Sequence, residues 1–259
     1  MALIVVAGDS LWDKFYIGNS LICEKGGGAL NTYLNLDDIC SQWCRKWRSK
    51  IGVITPSPVQ IDSLMSYGGT VNYIDGKIVS QDRRIASKVI NEFSNITEYY
   101  QEENYYALII SDYNRGSVTP DPMMTYCYEP PPWDLIVVDS RHRTVDPIYI
   151  RQTPKHCLKV WHCTGNEYDE DFASQFDIVL HTHGPDPVEI KGVEDGTVIT
   201  VSVPDTPVVN TAGAGDTFVA AWTAHYVMHK DIYKATEFAI AAAQDVIQEP
   251  YTAITKHKI

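Results

Sequence analysis

The chain has 259 residues with 33 acidic and 21 basic side chains, a formal charge of −12. That balance excludes a nucleic-acid surface, because binding a phosphate backbone needs a basic face. An apolar share of 44% at this length suits one globular domain, 1–259, with a sizeable core.

The first residues, Met-Ala-Leu-Ile-Val-Val-Ala-Gly-Asp, lack a basic start and a long apolar stretch, so they read as a buried strand rather than a signal peptide. Short Val/Ile-rich runs recur at 2–7, 51–54, 106–110, 135–138, 158–161 and 177–180. Most are separated by segments long enough for a helix, the signature of βαβ units and a parallel sheet. Gly28 to Trp47 carries apolar residues at helical spacing, and 87–101 predicts a second, more polar helix. Segments 13–23 and 68–85, the latter with Gly68-Gly69 and Asp75-Gly76, suit a small β flap outside the main sheet. Pro130-Pro131-Pro132 reads as a rigid turn before a strand. The stretch 215–229 is apolar nearly all round and belongs in the interior. Asp231 is placed to cap a further helix, whose face is Ala235, Phe238, Ala239, Ala242 and Val246 and which Pro250 stops. No run approaches a membrane span. Six cysteines, at 23, 40, 44, 127, 157 and 163, form no Cys-x-x-Cys pair, so reduced thiols in the cytoplasm are expected, with Cys40 and Cys44 half-buried in the core.

The most informative stretch is Asn210-Thr211-Ala212-Gly213-Ala214-Gly215-Asp216-Thr217-Phe218. Its small residues leave the backbone almost bare at a helix N-terminus, where successive N–H groups and the helix dipole favour an anion. Asp216 beside such a cradle opposes a phosphate unless it takes a proton from an attacking hydroxyl. The alternative is a glycine-rich turn with Asp216 as a cap. Five more features lie at strand ends, where open parallel sheets gather ligands. Asp9 and Asp13 are placed to bind sugar hydroxyls, or are a turn aspartate and a solvated one. Gly26-Gly27-Gly28 precedes Asn31 and permits close approach of a polar ligand, or simply leads into the helix. Ser111-Asp112-Tyr113, with Arg115 and Gly116, and Asp139, with Arg141 and Arg143, end two strands; their arginines are phosphate contacts or surface charges. Asn166 and Asp169 offer oxygen ligands of the kind Mg²⁺ prefers. His181-Thr182-His183-Gly184 ends a strand in a loop on which a flat base can rest, with His183 a surface residue.

Together these residues resemble the PfkB/ribokinase family of carbohydrate kinases, from about Ile4 to about Thr255. The nonapeptide is similar to the family's carboxy-terminal signature. The segments Gly8-Asp9-Ser10-Leu11-Trp12-Asp13-Lys14-Phe15-Tyr16, Gly27-Gly28-Ala29-Leu30-Asn31 and Ser111-Asp112-Tyr113-Asn114-Arg115-Gly116 look most like the kinase domain of bacterial bifunctional heptose-phosphate kinase/adenylyltransferases. The resemblance implies a ribokinase-like, doubly wound α/β fold with a small β lid, and ATP-dependent phosphorylation of a sugar or sugar-phosphate hydroxyl with Mg²⁺. It makes Asp216 the general base and Ala212, Gly213, Ala214 and Gly215 the anion hole. Asp9, Asp13, Gly27, Gly28, Asn31, Asp112 and Arg141 would hold the sugar. Asn166, Thr211, Gly213, Thr182, His183 and Gly184 would line the nucleotide site, and Asn166 with Asp169 would organise the metal through water. An exposed lid edge suits pairing into a homodimer.

Three departures stand out. Asn166-Glu167-Tyr168-Asp169 has Asp where the family has Glu, Lys14 replaces an Arg typical of the heptose kinases, and Gln248-Glu249-Pro250 replaces a glycine-containing nucleotide loop. They keep two rivals in view: a sugar- or nucleotide-binding protein without catalysis, and a nucleoside or hydroxymethylpyrimidine kinase.

Overall fold

The computed structural model describes residues 2–51, 59–74, 77–83, 105–114, 133–140, 150, 153–192 and 194–256, with side chains undescribed at 3, 41–51, 59–70 and 78–83. Its strands are β1 (Ala2–Ile17), β2 (Ser20–Gly28), β3 (Val59–Ile74), β4 (Lys77–Arg83), β5 (Tyr105–Asp112), β6 (Leu135–Ser140), β7 (Leu158–Thr164), β8 (Ile178–His183), β9 (Asp186–Gly192) and β10 (Val198–Val201). They form one sheet in the order β10-β9-β8-β7-β6-β5-β1-β3-β4, with β2 paired to β1. The pairs from β3 through β1, β5, β6 and β7 to β8 are parallel, and β2, β4, β9 and β10 join antiparallel.

The central strands are apolar on both faces because both faces are covered. Ile4, Val6, Ile109, Leu135, Val137 and Leu180 pack on α1 (Ala29–Ile51), α3 (Ala214–His229) and α4 (Ile232–Ile247). The alternate residues Val5, Ala7, Leu108, Ile110, Ile136, Val138 and Val179 meet Trp133, Trp161 and the Phe172 of α2 (Glu170–Ala173) on the other side. Helix α3 is buried along most of its length, as its all-round apolar character requires, with Trp222 wholly enclosed and its indole N–H donating to Thr236 Oγ1 at 3.2 Å. Asp231 caps α4 by accepting from Lys234 N–H at 3.0 Å.

The strands expected at 106–110, 135–138, 158–161 and 177–180 are β5 to β8. Of the one expected at 51–54, Ile51 ends α1 and 52–54 lie outside the described residues; the next described strand is β3, starting at Val59. The predicted helix at 87–101, the prolines at 130–132, Asp75-Gly76, Arg115, Gly116, Arg141 and Arg143 lie outside the described residues. Gly26, Gly27 and Gly28, read as a loop leading into a helix, are instead the end of β2, paired with Trp12, Leu11 and Ser10. The expected flap is continuous with the sheet. Strand β1 runs unbroken from the core into it, shifting register against β3 between Ser10 and Leu11, and the distal halves of β1 and β3 with β2 and β4 make the lid.

Candidate active site

Asp216 lies in the first turn of α3 and is 3% exposed. Its carboxylate is gripped from two sides: Asn31 Nδ2 donates to Oδ2 at 3.2 Å and the Tyr113 hydroxyl to Oδ1 at 2.5 Å. Asn31 also donates to the Gly213 carbonyl at 3.2 Å, so α1 and the glycine loop are tied at the acid itself. Asn31 is held in turn by Asn35, whose Nδ2 donates to Asn31 Oδ1 at 3.0 Å, while Asn35 Oδ1 accepts from Thr255 N–H at 2.8 Å. The amide of Asn31 therefore has a fixed orientation.

The loop before α3 has no side-chain cap at its N-terminus, and Gly213 there is left-handed at φ 81°. A Cβ at Gly213 would fall 2.5 Å from Asn31 Nδ2, so glycine is required by both conformation and space. Of the four proposed anion-hole residues, Ala212 N–H donates to Asn210 Oδ1 at 3.1 Å and Ala214 N–H to Thr211 O at 3.2 Å, both within the loop. Helix geometry directs the first-turn amides outward, which suits this end of α3 to an anion.

On the acceptor side, Asp9 is buried at the end of the core part of β1 and accepts from Tyr113 N–H at 3.1 Å. Asp13 accepts from Thr252 Oγ1 at 2.7 Å, and burial pushes its carboxyl up to about 6 against that hydrogen bond. Gly27 passes so close that a Cβ would lie 2.7 Å from both Asp13 oxygens. Gly28, at φ 58°, would meet Asp9 O at 2.6 Å and the Tyr113 ring at 3.2 Å. Asp112 faces inward instead, accepting from Ser140 Oγ at 2.7 Å and Asn114 N–H at 2.9 Å; it shapes the turn that presents Tyr113. Asp9, Gly28, Asn31 and Asp216 are thus linked through Tyr113 and Gly213, Asp13 and Gly27 join them through Thr252, whose methyl lies beside Gly213, and Asp112 acts one step behind.

The donor-side candidates are grouped around β7 and β8. Thr182 Oγ1 lies 3.1 Å from Thr164 Oγ1 and 3.3 Å from His162 Nε2, and His162 Nδ1 lies 2.9 Å from Asp139 Oδ1. This buried Asp139–His162 pair, with the imidazole stacked on Phe218, was not foreseen as a unit. The signal lies in the register, because the parallel ladder sets Asp139 directly opposite His162. Asn166 is exposed in a 3-10 turn (Gly165–Glu167). Asp169 caps α2, with Oδ1 accepting from Phe172 N–H at 2.8 Å. Thr211 and Gly184 are exposed, and His183 turns toward Glu189 at 3.3 Å, away from the neighbours of Thr182. Tyr113 is the residue sequence reasoning missed. A cavity of about 780 Å³ lined by Asp177, Ile190, His229 and Lys230 opens at the opposite, amino-terminal ends of the strands and takes no part.

The family model described as pfkB family carbohydrate kinase matches residues 153–259. These residues include β7 to β10, the glycine loop, Asp216 and the Thr252 that holds Asp13. No curated protein sequence matches significantly. Among solved structures, the chain is similar to ribokinase from Thermotoga maritima, at TM-score 0.65 and 12% identity over 97% of this chain and 94% of that one. The fold is ribokinase-like. A fructokinase from Vibrio cholerae O395, solved in its fructose-, ADP- and calcium-bound form, aligns at 0.63 and 13% identity over 95% and 93% of the two chains. A sulfate complex of a pyrophosphate-dependent kinase in the ribokinase family aligns at 0.61 and 17% over 96% of each. The ribokinase-like sheet places Asp9, Asp112, Asp139, Thr164 and Thr182 at the carboxyl ends of its parallel strands, the edge at which such folds receive ligands. No helix among the described residues is long and apolar enough to cross a membrane.

Proposed function

We propose that the chain is a carbohydrate kinase that transfers the γ-phosphate of ATP to a hydroxyl of a sugar or sugar phosphate, with Asp216 as general base. The observation that carries this is the pairing of a buried carboxylate with a bare glycine loop on one helix end, facing Asp9, Asp13 and Asn31. The uncapped amino terminus of α3, left bare of side chains by Gly213 and Gly215, suits a phosphate, and the amides of these two glycines are the donors proposed for it. The hydroxyl to be phosphorylated would sit against Asp216, which takes its proton as the oxygen attacks in line. Asn31 fixes the acid, and Asp9 and Asp13 accept from the remaining hydroxyls.

Asn166 and Asp169 are the oxygen donors proposed for Mg²⁺, acting through water; the ion would supply charge neutralisation of the phosphates. Thr182 and Thr211 offer hydroxyls to the nucleotide. A heptose phosphate is the specific acceptor the Gly8–Tyr16 segment suggests. Lys14, which pairs with Glu24 at 2.8 Å, is the cation in that segment for the acceptor's own phosphate.

The test is a panel of sugars and sugar phosphates with ATP and Mg²⁺. Asp216→Asn is expected to keep binding while losing ~10²–10⁴-fold in turnover, and near-normal turnover in that variant sinks the assignment.

A second possibility, ligand binding without turnover, draws on Tyr113, whose hydroxyl occupies Asp216 Oδ1. Ligand-induced stabilisation without ADP release would favour it. If Tyr113 merely yields to substrate, Tyr113→Phe keeps turnover and lowers the apparent KM.

A further inference from the structure

Away from Asp216, strands β8 and β9 bring together three groups that the kinase chemistry does not use. His181 and Glu189 are directly opposed across the antiparallel hairpin, and His183 follows two residues on, past a shift in register. The two imidazole rings lie 3.9 Å apart between centroids. One ligand atom from each of the three residues lies within 4.8 Å of the other two.

His181 carries the decisive observation. It is 6% exposed, and its Nε2 lies 2.6 Å from the Gly165 carbonyl, which can only accept. Nε2 therefore bears the proton, and in a neutral ring Nδ1 presents a lone pair. That Nδ1 is buried with no hydrogen-bond partner and faces Glu189 Oε2 at 3.5 Å. Two acceptors are thus turned toward one another, and the imidazole nitrogen is shut off from water. A bound cation relieves it directly. An N–H fixed on a backbone carbonyl is also how metal-ligating histidines are usually oriented.

The spacing suits a small tetrahedral ion. Zinc bonds of about 2.0–2.1 Å in a tetrahedron require ligand atoms roughly 3.3–3.4 Å apart. His181 Nδ1 to Glu189 Oε2 is 3.5 Å and His183 Nε2 to the same oxygen is 3.3 Å. His183 and Glu189 are each about one-third exposed, which leaves a path of access and a position for a water ligand. Lys191 Nζ, 3.1 Å from Glu189 Oε2, already lies 4.1 Å from the centre of the Tyr168 ring and can retreat onto that face.

We propose that His181, His183 and Glu189 bind a divalent transition-metal ion of the Zn²⁺ type. The ion staples the β8–β9 hairpin and, through the His181–Gly165 hydrogen bond, braces the turn that bears Asn166. The site is independent of the kinase assignment and removes His183 from the nucleotide-binding set.

The test uses the full chain, free of nucleotide, titrated with Co²⁺ and then Zn²⁺. One Co²⁺ per chain is expected, with the visible bands of a four- or five-coordinate ion and displacement by Zn²⁺. His183→Ala and Glu189→Gln, at partly exposed positions that leave the core intact, should each weaken binding by more than the ~10–100-fold that loss of an outer-shell partner costs. Unchanged far-ultraviolet dichroism in the metal-free variants confirms that folding is not the cause. Absence of a saturable band, bands unchanged in either variant, or intense thiolate charge-transfer absorption from cysteine ligation would each overturn the proposal.

Discussion

At Asp13, a single carboxyl is both buried and required to accept hydrogen bonds, and its titration follows from that conflict. Its folded pKa, about 6, stands above the ordinary carboxylate value of about 3.9 because burial disfavours the charge. Between those values the unfolded chain is ionised while the folded one holds its proton, so stability falls as pH rises from about 4 to about 6 and is flat above. Denaturant melts across that window should show this slope in the wild type and lose it in Asp13→Asn. Acceptor binding runs the other way, since the ionised carboxylate is the better acceptor: the apparent KM for sugar should fall as pH rises through about 6. A KM that is flat through that range in the wild type would remove Asp13 from the acceptor site. Asp216, Asp9, Asn31 and the glycines were legible in the sequence because small residues beside an acid or amide have little packing rationale. Tyr113 stood in the Ser111–Gly116 segment without a role, because an aromatic residue after a strand carries no local sign of a hydrogen-bonding task. Its position is set by the turn through Asn114, at φ 55°, and by Asp112, which no local pattern announces. His162 was hidden within the apolar run Val160-Trp161-His162-Cys163 until register brought Asp139 opposite.

Elements buried on all sides were the ones composition announced. Strands β5 to β8 are continuous apolar runs because helices cover both faces of the sheet, and α3 and α4 showed themselves by apolar content and by Asp231. Strands β9 and β10 went unseen, and β2 was caught only in its first residues, within the expected flap segment 13–23. They join antiparallel toward the margins of the sheet, and their exposed residues are mixed polar and apolar, so no run or alternation marks them. The Asp231 cap gives a test at this scale. It closes the first turn of α4, whose Ala235, Ala239 and Ala242 are fully buried. Asp231→Ala should cost about 1 kcal/mol in chemical denaturation without altering turnover. A loss of turnover at constant stability would mean that α4 does more than support α3.

Across the whole molecule, the lid leaves apolar side chains in solvent: Ile17 is 64% exposed, Leu21 47% and Ile22 45%. They sit at the tip of β1 and on β2, which pairs with β1 in the lid. An exposed strand with such residues is a surface for another chain, and we propose that a second copy covers it. Light scattering should report a dimer that Leu21→Lys with Ile22→Lys converts to monomer; a wild-type monomer at micromolar concentration would end that proposal. The site itself is drawn from both ends of the chain: Thr252 holds Asp13 across 239 positions, and Asn31 holds Asp216 across 185. Contacts of such separation form late in folding. A chain emerging from the ribosome therefore carries Asp13 without its partner until residue 252 has been made. The candidate site is thus complete only once Thr252 is in place, and a chain stopped short of that residue holds the Asn31–Asp216 contact without the Asp13–Thr252 one.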